Sequence, residues 1–220
     1  MAKSEVQRRR DRRVGMIFDR FAAVNPEPRT ELVYGSPYTL LVAVVLSAQA
    51  TDVSVNKATG PLFALADSPG KMLELGEAAV ARLIATIGLF NTKARNVIAL
   101  SQMLVNDHGG EVPRTREALE ALPGVGRKTA GVVLNELNIE PAIAVDTHVF
   151  RVARRLGLSN GTTPAQVEAE LMRVTPEARL TRAHHWLILH GRYVCLARKP
   201  RCGACFLADL CPSRSLFVGA

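Results

Sequence analysis

Residues 122–131 read LPGVGRKTAG, two glycines bracketing a valine and followed by Arg127, Lys128 and Thr129. A glycine-rich stretch running into lysine and threonine invites reading as a nucleotide P-loop, which requires G-x-x-x-x-G-K-[ST] fed by a buried strand. The stretch fails that pattern. Gly124 and Gly126 are two apart, arginine follows Gly126, and the preceding TREALEAL (115–122) has helical rather than strand periodicity. What remains is a tight helix-to-helix turn that ends on a helix N-terminus. Unpaired backbone N–H groups and a partial positive charge gather there, and the glycines let a phosphate approach the main chain. Such a contact reads no base sequence.

Working outward, the punctuation is helical throughout. Ser36-Pro37 places an N-cap before a first-turn proline, ahead of an apolar run from Tyr38 to Ala50 that is too long for a strand and predicts a buried helix. Asn91 is positioned to cap a helix with Ala94, Val97, Ile98, Leu104 and Val105 on one face, stopped by Gly109-Gly110. Thr163-Pro164-Ala165-Gln166 has capping-box spacing, and a further helix is expected from about Arg179 to Tyr193. These elements predict an all-α chain. Breaks at Pro26-Glu27-Pro28 and Pro141 suggest a middle domain, residues 30–140, and a discontinuous second domain from residues 1–29 and 141–220.

Charge follows the same division. The chain has 220 residues, 48% hydrophobic, and a net charge of +8. Residues 1–29 hold 8 basic against 4 acidic side chains and residues 141–220 hold 11 against 5, whereas residues 30–140 hold 9 against 11. Basic ends around a near-neutral middle point to a polyanionic partner, since lysines and arginines that neutralise phosphates release counterions. The longest apolar run, LLVAVVLSAQA (40–50), is too short to span a bilayer, and the N-terminus lacks a signal-peptide pattern. The expectation is a cytoplasmic, nucleoid-associated, monomeric protein with no membrane association.

All four cysteines, Cys195, Cys202, Cys205 and Cys211, fall in CLARKPRCGACFLADLC with spacing C-x6-C-x2-C-x5-C. Clustered thiols without a secretory signal point to metal rather than disulfides. One C-x2-C pair flanked by two wider gaps suits four-thiolate zinc less well than paired knuckles do, while an iron–sulfur cluster also takes four thiolates; spacing alone leaves both open. Arg198, Lys199 and Arg201 within the run either offset thiolate charge or point outward at phosphates.

LPGVGRKTA, AVDTHVFRVARRLG (144–157), VLSAQATD (45–52), GLFNTKARN (88–96) and the cysteine tail, taken in order, resemble the endonuclease III family of base-excision DNA glycosylases over roughly residues 15–211. The resemblance implies a helix-hairpin-helix DNA glycosylase fold with a six-helix barrel domain, an iron–sulfur domain holding a 4Fe-4S cluster, and a cleft between them for double-stranded DNA with damaged bases or abasic sites. It implies that Lys128 attacks the sugar and forms a Schiff base, and that Asp146 is its partner carboxylate. Attack of this kind requires the lysine as its free amine. Asp146 also suits the N-cap of THVFRVARRL. Because a base inside a duplex must be flipped out, the resemblance implies Gln49 and Leu89 as the residues that enter the vacated stack. Gly124, Val125, Gly126, Thr129, Arg198, Lys199 and Arg201 complete the implied DNA contacts.

Two features depart from the family pattern: Gly131, where relatives have asparagine, and the arginine-rich QRRRDRR (7–13). Glycine there costs a helix about 1 kcal/mol relative to alanine. Competing readings are an adenine-mismatch glycosylase, expected to lack Lys128 and to carry a further C-terminal domain, and a non-catalytic iron–sulfur DNA-binding regulator, which needs neither Lys128 nor Asp146. A zinc-bearing single-strand binder is disfavoured by having only 11 aromatic residues as stacking platforms.

Overall fold

The computed structural model describes residues 4–218. Among these the chain is helical with no strand, and no helix is long and apolar enough to cross a membrane. It divides into two compact units, Met1–Arg29 with Pro141–Ala220, and Thr30–Glu140. The first helix, α1 (Glu5–Val24), starts at Ser4, whose hydroxyl accepts the Gln7 N–H, and buries Val14, Ile17, Phe18 and Phe21.

The unit Thr30–Glu140 is built around α2 (Pro37–Leu46). Ser36 Oγ accepts the Thr39 N–H at 3.1 Å, and every residue from Tyr38 to Leu46 is buried. A helix that is apolar all round belongs in the interior, which is why this run does not alternate. The sequence predicts that it continues to Ala50, but it stops at Leu46. Ser47 Oγ donates to the Val44 carbonyl at 2.8 Å, and Gln49 adopts φ +55, a conformation that a right-handed helix does not continue through. Then follow α3 (Asp52–Leu65), capped by Thr51, and α4 (Pro69–Leu75) and α5 (Glu77–Leu83), which meet at Gly76 with φ +77.

Next comes α6 (Phe90–His108), and here the predicted cap is wrong. Asn91 lies inside the first turn, while Leu89, with φ +60, is the N-cap and offers no side-chain hydrogen bond. The predicted stop is right: Gly109 is left-handed, and the Gly110 N–H returns to the Leu104 carbonyl at 2.8 Å. The hairpin pair is α7 (Arg116–Glu120) and α8 (Arg127–Glu136), with α8 packed on both α7 and α2. Gly131 is buried within α8, which runs through it unbroken.

The other unit continues with α9 (Thr147–Arg155), α10 (Pro164–Val174) and α11 (Leu180–Tyr193). Thr163 and Gln166 form the expected capping box. Part of the arginine-rich segment of α1 has a structural role: Arg13 donates to the carbonyls of Leu156 at 2.6 Å, Gly157 at 3.1 Å and Leu210 at 3.1 Å, holding the end of α9. Trp186 of α11 stacks on Phe21 with centroids 6.1 Å apart, and its Nε1 donates to the Asn25 carbonyl at 2.7 Å. At Gly191 an added Cβ would stand 2.8 Å from the Cβ of His148, so glycine is what lets α11 approach α9 this closely.

Trp186 is 2% exposed and joins α1 to α11. Trp186→Ala should therefore lower the unfolding free energy of this unit by about 3–5 kcal/mol, read from urea denaturation followed by circular dichroism. Trp186→Phe, which keeps an aromatic ring but orphans the Asn25 carbonyl, should cost less.

Candidate functional site

The hairpin turn is set by Gly124, at φ +79. A Cβ there would lie 2.9 Å from Asn96 Nδ2, so the asparagine of α6 fills the space under the turn. Val125 is buried at 6% exposure and gives its N–H to the Leu122 carbonyl at 3.0 Å. Its side chain is therefore a peg in the core and its N–H is occupied, so a contact from Val125 to DNA would have to use its carbonyl. Gly126 is the N-cap of α8 and, lacking a side chain, satisfies none of the first-turn donors. The first backbone bond of the helix is Ala130 N–H to the Gly126 carbonyl at 3.0 Å. Lys128 follows in this first turn, exposed, with Thr129 half-buried beside it.

Four non-glycine residues among those described have left-handed backbone: Gln49, Leu89, Asn138 and Lys199. Asn138 has an ordinary reason, since it ends α8 and the Ile139 N–H closes back on the Leu134 carbonyl at 2.9 Å. The other three are all candidate DNA contacts, and all are exposed. Residues in this region carry strain of order 1–3 kcal/mol and persist where their surroundings impose it. Leu89 is 63% exposed, and Gly88 before it lies in a turn, because α5 already ended at Leu83. One turn into α6, Lys93 is only 5% exposed, its Nζ has no hydrogen-bond partner, and burial holds its pKa below the ordinary lysine value.

Asp146 is the N-cap of α9, as its residue type suggested, with Oδ1 accepting the Val149 N–H at 2.8 Å; Oδ2 takes no part in the cap. Farther along the helix, Arg151 donates to the carbonyls of Cys195 at 3.0 Å and Gly191 at 2.9 Å and meets His148 Nδ1 at 3.1 Å. Arg155 lies one turn on, with Nη1 3.4 Å from Cys195 Sγ. Neither arginine stood out in the sequence. The available signal was their i, i+4 spacing, which places both on one face of the helix that begins at Asp146.

The four cysteines are half-buried and unpaired. Burial pushes the thiols of Cys205 and Cys211 upward, and the charges of the other cysteines push them the same way, so the set lies within mutual electrostatic reach. Yet among the described residues no three His, Cys, Asp or Glu side chains converge as they would around one metal ion. Four thiols gathered in one loop can ligate an iron–sulfur cluster as well as zinc. His190, which burial pushes down to about 4, places Nε2 3.6 Å from Cys205 Sγ. Arg198, Lys199 and Arg201 are exposed, so the guanidinium at the sulfurs belongs to Arg155 and not to the cations within the motif.

Comparison with known proteins agrees with this arrangement. Residues 42–177 match the HhH-GPD superfamily of base excision DNA repair proteins, and residues 195–211 match the iron–sulfur binding domain of endonuclease III. Endonuclease III of Rickettsia conorii is 57% identical over 198 residues, covering 90% of this chain and 94% of the relative. The Escherichia coli K12 enzyme is 57% identical over 195 residues, covering 89% and 92%. A solved structure of a trapped endonuclease III–DNA covalent intermediate superposes with a TM-score of 0.86 at 42% identity, over 93% of this chain and 96% of that one. On these matches the chain belongs to the endonuclease III family of the HhH-GPD superfamily and has its iron–sulfur cluster domain.

Proposed function

We propose that this protein is a DNA glycosylase and abasic-site lyase that removes oxidised pyrimidines from duplex DNA and nicks the strand through Lys128. The observation that carries the reading is Lys128 itself, an exposed amine in the first turn of α8, directly after the glycine N-cap. The α8 N-terminus offers backbone donors to a phosphate, and the adjacent amine reaches the sugar of the same strand. A related protein has been trapped as a covalent DNA intermediate, which is the species this chemistry requires.

The steps follow from amine chemistry. The Lys128 nitrogen bonds to C1′ as the bond from C1′ to the damaged base breaks, and the base leaves with the electron pair. Ring opening gives an iminium that acidifies the C2′ proton. Loss of that proton expels the 3′ phosphate, and water then releases the amine. Asp146 has an oxygen outside its capping bond, which can stabilise positive charge on the sugar and carry protons. Gln49 and Leu89, held left-handed and exposed, fill the gap left by the flipped nucleotide. The four cysteines would hold the cluster, and the loop they belong to bears Arg198, Lys199 and Arg201, exposed cations suited to the DNA backbone. Family resemblance supports the lesion class.

Borohydride added during reaction with duplex containing an oxidised pyrimidine or an abasic site should trap a protein–DNA adduct. Lys128→Ala should abolish trapping and slow base release by at least about a thousandfold while retaining duplex binding. An adduct that survives the substitution would assign the chemistry to another amine.

The two roles of Asp146 separate by substitution. Asparagine is as good an N-cap as aspartate, so Asp146→Asn should leave thermal stability nearly unchanged yet slow turnover by about a hundredfold to ten-thousandfold. Asp146→Ala should lose the cap as well, at about 1 kcal/mol of stability. Melting by circular dichroism and single-turnover base release distinguish the two.

A further inference from the structure

The cysteine motif ends at Cys211, but the chain then turns back over the loop that the motif forms. Residues Arg214–Leu216 make a 3-10 turn, and Phe217 follows, with its ring centroid 4.3 Å from the guanidinium carbon of Arg155. The same guanidinium gives Nη1 to the Leu196 carbonyl at 2.7 Å and Nη2 to the Ala197 carbonyl at 3.0 Å, with Nη1 also 3.4 Å from Cys195 Sγ. The backbone carbonyl of Arg155 lies 3.4 Å from Cys211 Sγ. One residue of α9 thus touches both the first and the last cysteine, and an aromatic ring covers its planar face.

We propose that Phe217 belongs to the cluster site, as a cap that holds Arg155 in place and keeps water from its N–H···S contact with Cys195. A thiolate-ligated cluster concentrates negative charge on its sulfurs, and a guanidinium donor offsets that charge best where solvent does not compete for its hydrogens. Arginine rather than lysine is required, because only a planar fork can serve a sulfur and two carbonyls while presenting a flat face to an aromatic ring. Phe217 is 40% exposed, so one face of the ring is wet while the other lies on the guanidinium. Removing the ring frees Arg155 to swing away. The 195–197 edge of the loop then loosens, and Cys195 becomes the ligand first lost to chelation or oxidation. The cap lies beyond the last cysteine and so outside the motif itself.

The test uses full-length, cluster-loaded protein and follows the visible absorbance of the cluster during exposure to ferricyanide or an iron chelator. Phe217→Ala and Phe217→Leu should lose the cluster about fivefold faster than the native protein, while Phe217→Tyr, which keeps a π face, should lose it at the native rate. In an Arg155→Met background, Phe217→Ala should have no further effect, because the ring then has nothing to hold. If Arg155→Met fails to load, the Phe217 series decides alone, since that side chain is partly exposed. Retention by Phe217→Leu equal to that of the native protein, or decay of Phe217→Tyr as fast as that of Phe217→Leu, would overturn the proposal.

Discussion

Helix α9 is held at both ends by charge and along its length by carbonyls, and the cysteine loop depends on this one element. Asp146 satisfies its first turn, where a carboxylate also complements the positive end of the helix. Arg13 reaches from α1 to the carbonyls at its far end, where a cation is equally favoured. Between them, Arg151 and Arg155 bind the backbone oxygens of Cys195, Leu196 and Ala197. A loop without regular structure has few ways to satisfy its own carbonyls, and two arginine forks supply the missing donors. A displacement of α9 would therefore move the proposed carboxylate and the first cysteine together.

The unit Thr30–Glu140 works by a different principle, apolar burial under strained loops. Its central helix buries Tyr38 through Leu46, and α8 packs directly on it, so the hairpin turn rests on a buried helix. Such a base can hold Gln49 and Leu89 in backbone conformations that cost free energy and expose a leucine to water. Neither loop would take these shapes for its own stability. Their cost is offset by the core beneath them, as expected where a rigid scaffold presents exposed residues for use. Asn96 shows the same economy, since one side chain of the helix that begins after Leu89 also supports the turn at Gly124.

What could be read from the residues alone was whatever depends on neighbours in sequence. The Ser36-Pro37 start, the Thr163 capping box, the Gly109-Gly110 stop and the cap at Asp146 are contacts between residues no more than six apart, and all occur where expected. The hairpin start at Gly126 was legible for the same reason, as was the cysteine set. Errors arose where tertiary packing overrode a local preference. Asn91 is a good cap by type, but Leu89 in a left-handed conformation opens the helix one residue before Phe90 and leaves Asn91 inside it. The buried helix ended early because Ser47 and Gln49 turn the chain, which hydrophobicity does not reveal. The burial of the Val125 side chain between its two glycines likewise does not follow from the local pattern. Arg151 and Arg155 were invisible because their partners lie about 40 residues away.

The separation of charge from chemistry has its own logic. The two basic ends together carry 19 basic against 9 acidic residues, whereas the segment bearing Lys128 carries 9 against 11. Long-range attraction to a polyanion falls with ionic strength and is indifferent to base sequence, so it serves search along DNA rather than recognition of a lesion. On the proposed function, the near-neutral unit would add only short-range contacts: a glycine turn for one phosphate, two exposed left-handed residues for one gap in the stack, and one amine for one sugar. Those contacts become useful only when a nucleotide leaves the helix, which a weakened or missing base makes easier. Selectivity under the proposed function would then come from how readily the substrate deforms, and the basic ends could remain indiscriminate without cost to it.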